Sequence, residues 1–167
     1  MLIALAVILE LLLTVCLLWL ILFFSTLLHE LGHAALFWLS TGDGKWNIRV
    51  GSGKPLLDTK RLCVKLFPID GFFRPLERRK FTKVQAVATL SGGPLVSLLL
   101  TVGLFLLSRL DFDEGLFLNV QSLVVWAFYA NAGIFLMSAL PIPYFFGENR
   151  GYPSDGLQIL RTFRKKS

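Results

Sequence analysis

Between residues 2 and 40 the only ionisable side chains are Glu10, Cys16, His29, Glu30 and His33. Few folds tolerate so long an apolar run. As one helix at about 1.5 Å per residue it would be about 58 Å long, well beyond a hydrocarbon core of about 30 Å, so it must tilt, break or project from the bilayer. The whole chain agrees with a membrane setting: 54% of its residues are hydrophobic, 17% are charged and the mean hydropathy is +0.65. A soluble domain has a different balance. A cleaved leader is the competing reading of the first run. There is no basic start and no clear small-residue cleavage site before the histidines, so the run is expected to remain in the protein.

A second uncharged run covers residues 84–108, and a third extends from about 116 to 140, where Pro141 and Pro143 stop a helix. The expected fold is an α-helical integral membrane protein with three transmembrane helices and a small cytoplasmic or membrane-edge β-sheet between the first and second. It forms a single unit over residues 1–167: helix about 2–40, β segment about 45–75, helix about 84–108, helix about 116–140 and a short C-terminal helix about 155–165. Of the 17 basic residues, 11 lie between Thr41 and Lys83 and five lie from Arg150 onward, while Arg109 shares a short loop with Asp111, Asp113 and Glu114. The positive-inside rule places the N-terminus outside and the C-terminus in the cytoplasm, and the expected location is a bacterial cytoplasmic membrane. With Glu10 at the outer interface, about 20 residues carry the chain to the depth of the histidines, near the inner edge of the hydrocarbon. Topology and anionic headgroups account for the net charge of +6, and nothing predicts a nucleic-acid partner. Cys16 in the first helix and Cys63 in the cytoplasmic segment are not expected to form a disulfide.

In the intervening segment, Trp46-Asn47-Ile48-Arg49-Val50 and Leu62-Cys63-Val64-Lys65-Leu66-Phe67 alternate with the period of strands, separated by Gly51, Gly53 and Pro55. Pro68-Ile69-Asp70-Gly71-Phe72-Phe73 is apolar with a turn signal, and either dips toward the bilayer, offers an edge to an extended peptide or packs as a plain hairpin. In the second helix, Ser91-Gly92-Gly93-Pro94 reads as a close-packing stretch.

The two histidines of the chain fall in His29-Glu30-Leu31-Gly32-His33. Four residues advance a helix by slightly more than one turn, so both rings leave the same face and can share a cation. Catalytic zinc commonly keeps three protein ligands and an open position for water, and Glu30 is placed to take that water's proton. With no third histidine, the remaining ligand should be a carboxylate or, less favourably, Cys63. Topology removes Glu10, Asp111, Asp113 and Glu114, leaving Asp43, Asp58, Asp70, Glu77, Glu148 and Asp155. Asp155 looks best placed, since Ser154-Asp155-Gly156 opens a short helix after the prolines, but spacing alone does not separate it from Glu148 or Asp70. An acidic residue facing a helix dipole is the plain alternative.

These residues resemble the site-2 protease family of intramembrane zinc metalloproteases, from Phe23 to about Arg161. The His29 to Ala34 run is similar to that family's metal motif, Pro68-Ile69-Asp70-Gly71-Phe72 to its Pro-x-Gly-Gly-aromatic strand, Gly93-Pro94 to its Ala-Gly-Pro helix, and Leu140-Pro141-Ile142-Pro143 followed by Asp155-Gly156 to its last signature. The resemblance implies one Zn2+ per chain held by His29, His33 and Asp155, with Glu30 as the catalytic base. It also implies a membrane-protein substrate docked near Gly71 and Phe72. Where the family commonly has two asparagines this chain has Ser97 and Ser138; the second asparagine helps to hold the substrate or the oxyanion, a role left here to Ser138 or Asn131. Residues 144–154 separate the prolines from Asp155, an insertion relative to the family, and the chain leaves no room for the peptide-binding domain of many relatives. The expected activity is endopeptidase cleavage of a membrane-spanning or membrane-associated protein near the cytoplasmic face. The alternative is a non-catalytic membrane protein that binds metal or a partner with the same fold. A metal or proton transporter is disfavoured, because the other two membrane runs carry no acidic or histidine residues to continue a path. Too few histidines remain for a diiron oxygenase.

Overall fold

A computed structural model describes residues 2–77, 80–112 and 119–164. Their order is α1 (Leu2–Thr41), β1 (Trp46–Asp58), β2 (Leu62–Pro75), α2 (Lys83–Leu107), α3 (Val120–Ala139) and α4 (Asp155–Arg164). Three of these helices are long and apolar enough to cross a membrane: Val7–Thr41 within α1, α2 and α3. Asp113 and Glu114, the expected start of the third helix at residues 116–118, and residue 165 lie outside the described residues.

The first run neither breaks nor ends early. It is one continuous helix of 40 residues, whose apolar side chains Leu5, Val7 to Leu9, Leu11 to Leu13 and Val15 stay exposed. Its stop is local: Gly42 takes a positive φ of 69° and its amide closes on the Trp38 carbonyl at 2.8 Å, a left-handed cap that glycine adopts without strain. Helix α2 starts on a reciprocal cap between Thr82 and Gln85, and α3 on the Asn119 side chain, which accepts from the Ser122 amide. Ser154 caps α4 through its hydroxyl, which accepts from the Leu157 amide at 3.2 Å.

Helices α1 and α2 meet backbone to backbone. A Cβ added to Gly32 would fall on the Gly92 carbonyl, and one added to Gly92 would fall on the Gly32 carbonyl. This is the close approach that small residues permit in helix pairs. At the other end, a Cβ on Gly156 would meet the Ala139 carbonyl, so α4 starts hard against the end of α3.

Strands β1 and β2 form an antiparallel two-stranded sheet. Gly51 and Gly53, with φ of 92° and 87°, bend β1 so that Ile48, Arg49 and Val50 pair with Phe73, Phe72 and Gly71 on one side and Leu62, Cys63 and Val64 on the other. Ile48 and Val50 are buried together with Ala34 of α1, and Phe23, Leu27, Trp46, Leu62 and Phe73 pack around them. The sheet therefore rests on the helix that carries the histidines. Beyond this core β2 follows α1: the Trp19 indole donates to the Leu66 carbonyl at 2.6 Å, Thr26 donates to the Pro68 carbonyl at 3.4 Å, and Gly71 lies against Glu30. Leu66, Phe67 and Ile69 remain exposed along this stretch. Cys16 and Cys63 are both free thiols.

Candidate metal centre

One helical turn separates His29 from His33, and both rings point from α1 toward α2 and the start of α4, buried to 5% exposure each. Their Nε2 atoms are 3.3 Å apart, and each faces Oδ2 of Asp155, at 3.6 Å from His29 and 3.4 Å from His33. Ligand atoms at about 2.0–2.1 Å from a tetrahedral ion are spaced about 3.3–3.4 Å from one another, so three donors already stand at coordination spacing. The cluster could hold a metal ion. Asp155 and its two partners come from sequence positions over a hundred residues apart, joined by the return of the chain after α3.

Helix α2 orients the imidazoles. His29 Nδ1 pairs with the Ser97 hydroxyl at 2.8 Å and His33 Nδ1 with the Thr89 carbonyl at 2.8 Å. The Gly93 amide also approaches His33 Nδ1, at 3.3 Å, but a carbonyl can only accept, so the shorter contact puts the proton on Nδ1 and leaves Nε2 a lone pair for metal. Between these partners lies Gly93, where a Cβ would fall on the Nε2 atoms of both histidines. Thr89, Gly93 and Ser97 are spaced four apart, one face of α2 matched to the two-histidine face of α1. Sequence reading treated Gly93 as packing and Ser97 only as a departure from asparagine; the four-residue repeat was the available signal. Ser97→Ala is expected to weaken metal affinity about 10- to 100-fold in a competitive chelator titration, the usual cost of removing the partner that orients a metal-binding histidine.

Burial pushes the Asp155 carboxyl up, but the facing His33 and His29 outweigh this and hold it at about 2, so it presents an anion to the centre. The other two carboxylates that spacing had left open are engaged elsewhere. Asp70 Oδ2 accepts the Glu148 amide at 2.7 Å, and Glu148 is paired with Lys65 at 2.7 Å and Arg49 at 3.1 Å. The Lys65 hydrogen bond keeps Glu148 below the usual carboxylate range.

Glu30 is buried beside the cluster, and its carboxylate lies against the Gly71 backbone, where a Cβ would collide with it. It faces two cavities of about 360 and 310 Å³ that share His29, Glu30, Gly71, Tyr144 and Asn149 in their walls. The first is apolar, walled by Leu22, Ile134, Met137 and Phe146 between α1 and α3. The second reaches past Phe72 and Thr89 toward Gln158.

The remaining sequence-derived site residues separate. Gly71 lines both cavities and Phe72 the second, stacked under Arg49 and near Tyr152. Ser138 lines the first cavity, but its hydroxyl donates to the Phe135 carbonyl of its own helix at 3.1 Å. Asn131 is buried between α3 and α1, donating to Ser25 and to the Ala127 carbonyl, and lines neither cavity. Tyr144 and Asn149, both in the loop between α3 and α4, were missed because no pattern in the chain ties that loop to residue 30. Asn149 Nδ2 donates to the Gly71 carbonyl at 2.6 Å, so the loop engages the β2 edge at the point expected to receive a peptide. Tyr144 lines both cavities, and burial raises its phenol above the ordinary value. Comparison of the chain with protein family models, curated proteins and solved structures found no match.

Proposed function

We propose that the chain is an intramembrane metalloendopeptidase of the site-2 protease type, with His29, His33 and Asp155 holding one zinc ion and Glu30 moving the proton. The observation that carries this reading is the placement of the buried Glu30 carboxylate, with no hydrogen bond to protein among the described residues, beside three donors at coordination spacing and facing a cleft with an apolar end. Two imidazole nitrogens and one carboxylate oxygen suit catalytic zinc, with a position left open. Zinc bound there would activate a water and polarise a peptide carbonyl. Glu30 would accept the water's proton and return it to the departing amine. Helix α2 anchors both imidazoles through Ser97 and the Thr89 carbonyl, and the carbonyl, which can only accept, sets the ligating tautomer of His33.

The substrate in this reading is a membrane protein. A spanning helix bonds its amides internally, so it must unwind before a carbonyl can reach Glu30. The apolar cavity between α1 and α3 would take the lipid-side residues of the unwound segment, and the cavity beyond Gly71 and Phe72 the cytoplasmic side. The charge distribution supports a bilayer setting with the N-terminus outside and the C-terminus in the cytoplasm, in the cytoplasmic membrane of a bacterium. Strand β2 would then lie beside α1 at the membrane edge, its exposed Leu66, Phe67 and Ile69 in contact with lipid.

The test is reconstitution of the purified chain in vesicles with a single-span protein. Bound zinc near one per chain, cleavage that stops on chelation and resumes with zinc, and weakened zinc retention in Asp155→Asn are the expected results. Stoichiometric zinc without hydrolysis of any co-expressed membrane protein would reject the enzyme and leave a metal-binding membrane protein.

A further inference from the structure

Attack on a peptide carbonyl moves its π electrons onto oxygen, and the resulting charge is best met by a donor already in place. The residues named from sequence for this task have their protons committed. Ser138 donates into its own helix, and Asn131 Nδ2 is divided between Ser25 Oγ at 2.9 Å and the Ala127 carbonyl at 2.8 Å. Among the described residues, the polar side chains lining both cavities, apart from His29 and Glu30, are Asn149 and Tyr144. Asn149 is clamped at both ends, its Oδ1 accepting from Arg49 at 2.8 Å and its Nδ2 donating to Gly71 at 2.6 Å. The Tyr144 phenol differs: it shares both cavities with His29 and Glu30, and its O–H has no acceptor among the described residues.

Resting on the metalloprotease reading above, we propose that Tyr144 is the oxyanion donor, giving a hydrogen bond but keeping its proton while the carbonyl oxygen is charged. The loop fixes the ring in advance. The Tyr144 amide donates to Tyr152 at 2.8 Å, its carbonyl accepts from Gly151 at 2.7 Å, and Pro143 bridges to Pro153. The tip of the loop is pinned to the sheet through Glu148 and Asn149. The insertion that parts the prolines from Asp155 thus supplies the group that Ser138 and Asn131 cannot.

Two probes test this on zinc-loaded protein in phosphatidylglycerol and phosphatidylethanolamine vesicles. One is a leucine-rich phosphinic peptide, whose tetrahedral oxygen copies the oxyanion; the other is the hydroxamate of the same peptide, which takes the metal through its own oxygens. Tyr144→Phe is expected to bind the phosphinic peptide about 100-fold more weakly, with zinc content unchanged and hydroxamate affinity within about twofold. Unchanged phosphinic affinity overturns the assignment, and so do equal losses for both probes, which describe a structural role. If Tyr144→Phe loses zinc, the ratio of the two affinities is read on the variant reloaded with excess zinc: a ratio about 100-fold below the wild-type value supports the donor role, and a wild-type ratio overturns it. Wild-type protein that holds zinc and binds neither probe removes the metalloprotease reading and this inference with it. Wild-type binding of both probes with an unaffected Phe variant removes this inference alone.

Discussion

Glu30→Gln is expected to keep its zinc and to lose about 10²- to 10⁴-fold of its cleavage rate, the range contributed by a positioned general base. The substitution is nearly isosteric, which matters at this position. The Glu30 carboxylate is wedged against the Gly71 backbone, so a larger side chain would displace β2, whereas glutamine fills the same volume. Glu30 makes no hydrogen bond to protein among the described residues, so no partner is orphaned by the change. Its oxygens are not among the three donors of the cluster, so metal retention should be indifferent to it. Measured zinc content and cleavage of a reconstituted single-span protein separate the outcomes. Full proteolysis by this variant would remove Glu30 from the mechanism, and parallel loss of zinc would make it a ligand.

Much of the arrangement around Glu30 follows from local rules that a linear chain displays. The i, i+4 histidines share a face in any helix, and residues 2–40 admit little other than helix, so one wall of the site was legible. The length of that run forced a choice between tilt, break and projection, which local rules could not make. The answer is an unbroken α1 that extends beyond its packing partners. Asp155 was harder, because a carboxylate's reach depends on how the chain returns after α3. Three candidates were left open until the contacts distinguished them: Asp70 and Glu148 bind each other's neighbourhood on the sheet, and Asp155 alone meets both Nε2 atoms. The double-sided pairing of Ile48 to Val50 was equally hidden, since it depends on two positive-φ glycines and on strand register rather than on alternation. Asn131 looked suited to a substrate role by residue type, yet its amide is used to join α3 to Ser25 of α1. Residue chemistry states what a group can do; the packing of its helix decides whether it is free to do it.

Gly93→Ala is expected to abolish metal binding while the helices persist. The added carbon would fall on both imidazole Nε2 atoms, displacing the two nitrogens that the cluster needs. Relief by backing α2 away from α1 is costly, because it would open the backbone contact at Gly32 and Gly92 and part His29 from Ser97 and His33 from the Thr89 carbonyl. Relief by rotating the rings breaks the same two hydrogen bonds. Alanine is no worse a helix former than glycine, so helical content read by circular dichroism should not fall. Gly103 provides the control within the same helix: a Cβ there meets nothing within 4 Å, and Gly103→Ala should bind zinc as the wild type does. Zinc retained by Gly93→Ala at wild-type affinity would mean that the two rings do not converge on this face of α2, and the cluster with Asp155 would have to be abandoned as a metal centre.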